Sequence, residues 1–408
     1  MKYLVILADG MADLPIEALG GKTPMAAARK PMMDKLAKTA LVGTVSNVPT
    51  GMVPESDTAN LAVLSYDPAV YSKGRSPLEA LSMGLTMAEE DTAIRCNVVT
   101  LSEDEDIYEE KTILDHSADE ITTAEADELI KALDAALGDE DRRFHTGVSY
   151  RHCLLWRNMP TQYNFDRPHD HLGEVIGPYL PHGESGAPYL ALMKKSYDIL
   201  NHHPVNEARR ARGLKPANSI WLWSPGKKPA LPDFNEKWAL RGAVISAVDL
   251  IKGIGICAGM RSIDVEGATG NVHTNYKGKA DAAIGAFDDG YDFVYIHVEG
   301  PDECGHRAEI ENKVTAIERI DAEILSPVYE HLMATGEDFA VMVLPDHPTP
   351  IAKRTHTMDP VPFLIWKKGK EERGVACFTE ESAAACPLYL AHGDVLMEYF
   401  TGRKPASR

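Results

Sequence analysis

The sequence predicts an α/β protein in which the alternation of strands and helices is interrupted once by a segment of different character. Short apolar runs without polar alternation, the first at residues 3–8, are typical of parallel strands buried on both faces. Helical patterns lie between these runs, as in a mostly parallel sheet covered by helices. We therefore predict one domain from residues 1–76 and 225–408, and an inserted α+β domain from residues 77–224.

The part before the insertion predicts two strands, each followed by a helix. The strand at 3–8 ends at Asp9, and a helix should run from Pro24 to about residue 38, because proline is favoured in a first helical turn. A second strand is expected at 41–45, and a loop then leads to a helix near Ser56. A serine there usually caps the helix, but the backbone N–H groups of a helix start also favour a bound phosphate.

The insertion mixes strand and helix patterns. An amphipathic helix is predicted at 123–137, strand-like runs at 144–156, and a further helix at 189–200. A proline-rich linker is expected at 224–232, after which strand–helix alternation resumes.

The sequence after the predicted linker indicates the remaining strands of the main sheet and the helices between them. Strands are expected at 242–246, 339–344 and 361–366, and another from residue 293 to the Gly-Pro turn at 300–301; helices are expected at 248–258, 277–288 and 308–335. The helix at 248–258 contains Lys252.

Composition narrows the class of protein. The chain has 408 residues, is 44% apolar and 25% charged, and carries a formal charge of −19. That charge argues against nucleic acid or an anionic membrane as a partner, and an anionic substrate would need a local positive site. Six cysteines without a C-x-x-C pair indicate reduced thiols in a cytoplasmic protein. No apolar run approaches the roughly 18 residues of a membrane span.

Three of the predicted strands are followed by an acidic residue, namely Asp9, Asp302 and Asp346. Ligands of an open parallel sheet bind beyond the carboxyl ends of its strands, so these carboxylates should meet at one edge. Close together they would repel one another unless cations neutralise them.

Histidines complete a candidate metal site. His306 follows Asp302 by four residues, and His347 and His356 follow the strand at 339–344. A mixed oxygen and nitrogen set of this size exceeds one tetrahedral zinc and suits two divalent ions. Mn²⁺ is favoured by the carboxylate and imidazole mixture, with Mg²⁺, Co²⁺ and Zn²⁺ as alternatives. Paired ions of this kind act in phosphoryl transfer.

Five motifs carry a resemblance to the alkaline phosphatase superfamily and, more closely, to the archaeal-type branch of cofactor-independent phosphoglycerate mutases. They are VILADG (5–10), PESDTAN (54–60), VEGPDECGH (298–306), LPDH (344–347) and RTHT (354–357). The resemblance implies an alkaline-phosphatase-like three-layer α/β core with a cap domain inserted after the nucleophile helix.

The resemblance also implies roles for individual residues. It assigns one metal to Asp302, His306 and His356. It assigns the other metal to four residues: Asp9, Ser56, Asp346 and His347. Ser56 becomes the nucleophile that accepts the phosphoryl group. The resemblance implies Lys252 as a contact to the phosphate. Arg151 and His152 of the insertion are expected to contact the substrate carboxylate or phosphate, because arginine binds such groups through two hydrogen bonds. Each of the three residues also has a simpler interpretation as a surface residue.

The implied activity is the interconversion of 3-phosphoglycerate and 2-phosphoglycerate in glycolysis and gluconeogenesis, through phosphoserine and without 2,3-bisphosphoglycerate. Three alternatives stay open: a homoserine kinase-type phosphotransferase, a metal-dependent phosphomonoesterase, and a non-catalytic metal-binding protein. The segment Gly20-Gly-Lys-Thr23 lacks the first glycine of a P-loop, so no kinase motif is present. The expected partner is a small phosphorylated metabolite, and a homo-oligomer stays open.

Overall fold

The computed structural model describes residues 1–72, 74–160 and 165–403. Residues 73, 161–164 and 404–408 lie outside the described residues. The strands are β1 Lys2–Ala8, β2 Leu41–Val45, β3 Asp91–Leu101, β4 Ile113–Asp115, β5 Arg142–Val148, β6 Arg151–Arg157, β7 Ser219–Lys227, β8 Gly242–Ile245, β9 Arg261–Ile263, β10 Phe293–Val298, β11 Phe339–Leu344, β12 Val361–Lys367 and β13 Tyr389–Leu390.

The α-helices are α1 Pro24–Ala27, α2 Pro31–Ala37, α3 Ser56–Val63, α4 Pro68–Tyr71, α5 Ser76–Ser82, α6 Thr123–Leu137, α7 Gly183–Leu200, α8 Pro204–Ala211, α9 Phe234–Trp238, α10 Asp249–Cys257, α11 Tyr276–Asp288, α12 Gly300–Arg307, α13 Ile310–Arg319, α14 Ser326–Thr335, α15 Glu380–Ala384 and α16 Leu396–Thr401. Short 3₁₀ turns occur at Glu17–Leu19, Tyr108–Glu110, Pro168–Asp170, Gly177–Tyr179 and Gly393–Val395, and a π-helical segment at Ile320–Leu325. Among the described residues, no helix is both long and apolar enough to cross a membrane.

The chain divides into two compact units. Unit 1 comprises Met1–Ser72 and Ala230–Arg408, and unit 2 comprises Lys73–Pro229. Each unit has its own hydrophobic core, built from buried side chains of its sheet and of the helices packed on it.

Unit 1 is built on an eight-stranded sheet with the order β13-β2-β12-β11-β1-β10-β8-β9. The neighbours from β11 to β9 are all paired in parallel, and only β12 runs against its neighbours. Strands β10 and β11 are buried along their whole length, as expected for a sheet covered by helices on both faces. The predicted mostly parallel α/β fold is confirmed.

Unit 2 is built on an antiparallel sheet. Strand β3 lies between β6 and β7 and also pairs with β4 at its end, while β5 pairs with β6. Helix α6 has the predicted limits, since the Thr122 side chain caps its start and its apolar stripe is buried. The predicted linker at 224–232 is partly wrong, because β7 continues to Lys227 and pairs with β3.

Two predicted helices of unit 1 are interrupted. The helix expected at 24–38 is divided into α1 and α2, because Lys30 precedes Pro31 and a residue before proline is driven out of the helical region. The long helix expected at 308–335 contains the π-helical segment. There the buried Asp321 carboxylate accepts hydrogen bonds from the backbone N–H groups of Met32 and Met33 at the start of α2.

Candidate metal centre and nucleophile

Three neighbouring parallel strands bring the predicted acids to one edge of the sheet. Strand β1 lies between β10 and β11, with Ala8 opposite Val298 and Leu7 opposite Leu344. Asp9 therefore follows β1, Asp302 lies in the first turn of α12 after β10, and Asp346 follows β11. All three carboxylates are buried. The expected convergence at the carboxyl ends of the strands is present.

Asp302, His306 and His356 form the first group of ligand atoms. His306 Nε2 lies 3.2 Å from Asp302 Oδ2 and 2.9 Å from His356 Nε2, and His356 Nε2 lies 3.3 Å from Asp302 Oδ1. Helix α12 places Asp302 and His306 on one face through their i, i+4 spacing. Although burial opposes it, hydrogen bonds from the two imidazoles lower the pKa of Asp302 below its usual value.

Backbone carbonyl groups orient the two imidazoles of this group through their Nδ1 atoms. His306 Nδ1 lies 3.0 Å from the Arg354 carbonyl oxygen, and His356 Nδ1 lies 2.6 Å from that of Pro54. The hydrogen bonds to Asp302 belong to the protonated rings. In the neutral rings Nδ1–H donates to a carbonyl in each case, so Nε2 carries no proton and could bind a metal. This is the usual second contact of a metal-binding histidine.

Asp9, Asp346, His347 and Ser56 form the second group. His347 Nε2 lies 3.6 Å from Asp9 Oδ1, 3.6 Å from Asp346 Oδ2 and 3.3 Å from Ser56 Oγ. Asp9 Oδ1 is buried and has no hydrogen-bond partner among the described residues. Burial, and then the charges of Asp346 and Asp302, raise the pKa of Asp9 well above its usual value. A buried carboxylate oxygen in this position lacks a positive partner, so the donor set fits divalent metal ions.

His347 lies close to both groups. Its ring stacks on that of His356 with centroids 3.8 Å apart. Ligand atoms of Asp302, His347 and His356 approach within 4.8 Å of one another, and so do those of Asp9, His297 and Asp346. The division of ligands between two ions is therefore a proposal, taken up below.

Ser56 does not cap helix α3. The N-cap residue is Glu55, and Ser56 is the first helical residue, with its hydroxyl directed to His347 Nε2. The interpretation of Ser56 as a simple N-cap is therefore wrong. A hydroxyl that points from a helix start toward buried acids and imidazoles is placed for chemistry at this edge.

Sequence reasoning missed three residues that support the ligands. His297 Nε2 lies 2.9 Å from Asp9 Oδ2, and Asn60 Nδ2 donates to Asp346 Oδ2 at 2.9 Å and to the Ser56 carbonyl at 2.8 Å. The Thr349 hydroxyl donates a short hydrogen bond to Asp302. The available signals were a histidine inside an otherwise apolar strand and an asparagine four residues after Ser56.

A buried ion pair holds the loop that carries Thr349. Lys313 and Asp13 are both fully buried, with Lys313 Nζ 2.7 Å from Asp13 Oδ2 and 2.8 Å from the Thr349 carbonyl oxygen. Asp13 also accepts from the Ile351 N–H. The pair thus connects helix α13 to the loop behind the ligand Asp302.

We expect Lys313→Met to destabilise the protein strongly. Removing one partner of a buried pair leaves an uncompensated charge on Asp13, at a cost of about 3–5 kcal/mol in the free energy of unfolding. The Thr349 carbonyl would also lose its donor, so metal affinity should fall. Denaturant unfolding and metal titration measure the two effects. Lys277→Met, which removes an exposed i, i+4 pair with Asp281, is the matched control and should change little.

The predicted substrate contacts lie on separate elements. Lys252 is on α10 of unit 1, with its Nζ 2.7 Å from Asp264 Oδ1. Arg151 and His152 begin β6 of unit 2 and line a cavity of about 360 Å³. Arg151 is exposed, whereas His152 is buried.

The fold and the cluster define an α/β protein with a candidate metal centre and a serine hydroxyl at the carboxyl edge of its sheet. Comparison with known proteins identifies the family. Residues 37–206 match the family model of 2,3-bisphosphoglycerate-independent phosphoglycerate mutase. The chain is 48% identical to the protein of that name from Methanosarcina barkeri, covering 97% of this chain and 98% of the relative. The chain therefore belongs to the 2,3-bisphosphoglycerate-independent phosphoglycerate mutase family.

Other relatives agree with this assignment. A probable 2,3-bisphosphoglycerate-independent phosphoglycerate mutase from Geobacter sulfurreducens is 46% identical over 99% of this chain and 100% of its own length. Among solved structures, a protein from Pyrococcus horikoshii is 29% identical, with a TM-score of 0.81 over 98% of this chain and 96% of that one. The cofactor-independent phosphoglycerate mutase of Thermoplasma acidophilum is 27% identical, with a TM-score of 0.67 over 98% and 99%.

Proposed function

We propose that this chain interconverts 3-phosphoglycerate and 2-phosphoglycerate through a phosphoserine at Ser56, without 2,3-bisphosphoglycerate. The observation that carries the proposal is the Ser56 hydroxyl, which lies 3.3 Å from His347 Nε2 beside the buried carboxylates. Membership of the family supports the same activity.

We assign the ligands in two sets. Asp302, His306 and His356 would hold one divalent ion, and the second set would hold the other, namely Asp9, Ser56, Asp346 and His347. Mn²⁺ is the proposed ion, because it accepts carboxylate and imidazole together. Bound there, the ions would supply the positive charge that activates a serine hydroxyl and neutralises phosphoryl oxygens.

The chain's own residues position the nucleophile. The Asn60 side chain donates hydrogen bonds to both the Ser56 carbonyl and the Asp346 carboxylate, so it fixes the position of Ser56 relative to Asp346. Ser56 Oγ forms a bond to phosphorus as the bond from phosphorus to the glycerate oxygen breaks, and that oxygen takes up a proton. The other hydroxyl of glycerate then loses its proton and forms a bond to phosphorus, as the bond from phosphorus to Ser56 Oγ breaks and Oγ takes up a proton. Water must be excluded from the site between the two transfers, since it would hydrolyse the phosphoserine.

We propose that the cavity of unit 2 binds the carboxylate or phosphate of the substrate. His152 Nδ1 accepts from the Gly147 N–H at 3.1 Å, so the proton of the neutral ring is on Nε2. Burial lowers the pKa of His152 to about 4, so the ring is neutral near pH 7. Its Nε2 is buried and has no partner among the described residues, and we propose it as a donor to an oxyanion of the substrate.

The same cavity contains further positive or polar groups. Arg151 lines it with an exposed side chain, and His116 Nδ1 is buried without a partner among the described residues. Arg95 is already held by Glu79 and lies over the Trp223 ring. Of the two arginines among the described residues of the lining, Arg151 lies over the Tyr150 ring but has no carboxylate partner, and its guanidinium can bind a carboxylate through two hydrogen bonds.

Lys252 is proposed as a contact to the phosphate. Its partner Asp264 has a side chain that is 83% exposed, and an ion pair with an exposed partner is weak. A dianionic phosphate would therefore compete successfully for the ammonium group.

We expect Arg151→Gln to raise KM for 3-phosphoglycerate by roughly tenfold or more, since a charge-assisted hydrogen bond is worth about 1.5–3 kcal/mol. Metal affinity should be unchanged, because the metal ligands belong to unit 1. Steady-state kinetics and metal titration separate the two quantities. Arg143→Gln is the matched control, an exposed arginine of the neighbouring strand β5 that pairs with Asp134. An unchanged KM in Arg151→Gln would remove this residue from the site.

Two parallel assays, one of mutase activity and one of homoserine phosphorylation from ATP, test the proposed function. Protein loaded with Mn²⁺ should convert 3-phosphoglycerate to 2-phosphoglycerate with no added 2,3-bisphosphoglycerate, and the phosphoryl group should not exchange with bulk phosphate. Phosphorylation of homoserine from ATP without mutase activity would instead identify a kinase of the same family. Release of inorganic phosphate alone would identify a phosphomonoesterase.

A further inference from the structure

A buried chain of side-chain hydrogen bonds reaches the nucleophile from strand β10, which lies inside the sheet between β1 and β8. The Tyr295 hydroxyl donates to Asn60 Oδ1 at 2.6 Å. Asn60 Nδ2 in turn donates to the Ser56 carbonyl and to Asp346 Oδ2. Tyr295 and Asn60 are both fully buried. The chain therefore joins the interior of the sheet to the start of helix α3 and to a proposed metal ligand.

The direction of each hydrogen bond follows from the groups present. The Ser56 carbonyl and an ionised Asp346 only accept, so both contacts belong to the NH₂ group of Asn60. Oδ1 of this amide consequently faces the Tyr295 hydroxyl. Burial, and then the charges of Asp346 and Asp9, raise the pKa of Tyr295 well above its usual value, so the hydroxyl keeps its proton and donates. Because hydrogen bonds in a chain polarise one another, this donor strengthens the two contacts that Asn60 makes.

Removal of the Tyr295 hydroxyl would affect the nucleophile through Asn60. Asn60 Oδ1 has no other partner among the described residues, so it would become a buried acceptor without a donor, and the amide would have to move to find one. Asn60 lies one helical turn after Ser56, so such a movement disturbs the first turn of α3. In-line attack on phosphorus tolerates little displacement, since an error of about 1 Å can cost about 100-fold in rate.

A second residue of β10 supports the neighbouring ligand in the same way. His297 lies two residues after Tyr295, so the two side chains project from the same face of the strand. His297 Nε2 lies 2.9 Å from Asp9 Oδ2. One face of β10 thus reaches Asp9 directly and Asp346 through Asn60, which are two acids of one proposed ligand set.

We infer that Tyr295 is a positioning residue for the Ser56 nucleophile and acts through Asn60. The inference rests on the proposed role of Ser56. Tyr295→Phe should lower kcat at least about tenfold and leave KM within about threefold of the wild type, because the substrate contacts are unchanged. Rapid-quench measurement of the rate at which substrate phosphate labels Ser56 should show the same loss.

Tyr66→Phe is the matched control. Tyr66 is also fully buried, and its hydroxyl donates to the Pro232 carbonyl at 2.8 Å. Both variants lose one buried hydroxyl, so their Tm values should fall by similar amounts, whereas kcat should fall in Tyr295→Phe alone. An equal loss of kcat in Tyr66→Phe, or a kcat within about twofold of the wild type in Tyr295→Phe, would overturn the inference.

The Asn60→Ala background tests whether Tyr295 acts through Asn60. Adding Tyr295→Phe to this variant should change kcat by less than about twofold, because the contact between the two side chains is already absent. A further loss of about tenfold would show that Tyr295 acts by another route and would contradict the inference.

The test does not depend on which alcohol accepts the phosphate. A kinase or a phosphomonoesterase at this centre would use the same serine, so the effect of Tyr295→Phe is measured on the activity that the wild type shows. A wild type with one of those activities and no mutase activity refutes the proposed function, while the kcat comparison still decides the inference. A wild type with none of the three activities would overturn both.

Discussion

Replacing Ser56 with alanine should lower mutase turnover by roughly 10⁴-fold or more, since the variant lacks the hydroxyl that we propose forms the covalent intermediate. The fold should be retained, because Ser56 does not cap α3 and its backbone carbonyl still accepts from Asn60. Incubation of the wild type with 3-phosphoglycerate should label Ser56 with phosphate, which mass spectrometry of the digested protein detects. The alanine variant should carry no label.

The control for this substitution is another serine at the start of a helix. Ser326 begins α14, and its hydroxyl donates to the Asp321 carbonyl away from the metal ligands. Ser326→Ala should retain wild-type turnover. Turnover within about tenfold of wild type in Ser56→Ala would show that Ser56 is not the nucleophile.

Removing divalent metal should abolish turnover and lower stability together. Asp9, Asp302 and Asp346 are buried at one edge of the sheet, and without cations their charges oppose one another. Metal that binds only the folded state adds about 2.7 kcal/mol when its free concentration is about 100 times Kd. For a unit of this size, that corresponds to a rise in Tm of roughly 5–10 °C. Dialysis against EDTA, followed by calorimetry and assay with and without Mn²⁺, measures both effects.

A ligand variant separates metal binding from general ionic effects. Asp302→Asn removes a carboxylate that His306 and His356 both contact, so the rise in Tm on addition of Mn²⁺ should be much smaller than in the wild type. Activity should not return at any Mn²⁺ concentration that restores the wild type. Full turnover in EDTA-treated protein would contradict the metal-dependent mechanism.

Part of the candidate site could be predicted from local sequence. Asp302 and His306 lie four residues apart directly after a buried strand, and Asp346 and His347 end another one. Strand ends of a parallel sheet point to one edge whatever the details of packing, so the meeting of these residues followed from pattern alone. The seven residues implied by the family motifs also lie together in unit 1.

Other parts of the site depend on neighbours that are distant in the chain. His297 looked like one more residue of a buried strand, yet it supports Asp9 from the adjacent strand. Thr349 contacts Asp302 only because Lys313 holds its loop from α13. Such contacts follow from strand order and side-chain direction, which a local pattern does not contain.

The sequence by itself determined the α/β class and the meeting of the acidic strand ends at one edge of the sheet. It did so because strand burial, helix periodicity and strand-end position are local properties of the chain. Only the tertiary structure decided that Ser56 faces His347 instead of capping its helix, that the helix at 308–335 is interrupted, and that His152 keeps an unused donor in a cavity. Each of these depends on the packing of segments far apart in sequence, and the hydrogen-bond partners of a buried group are settled only when those segments meet.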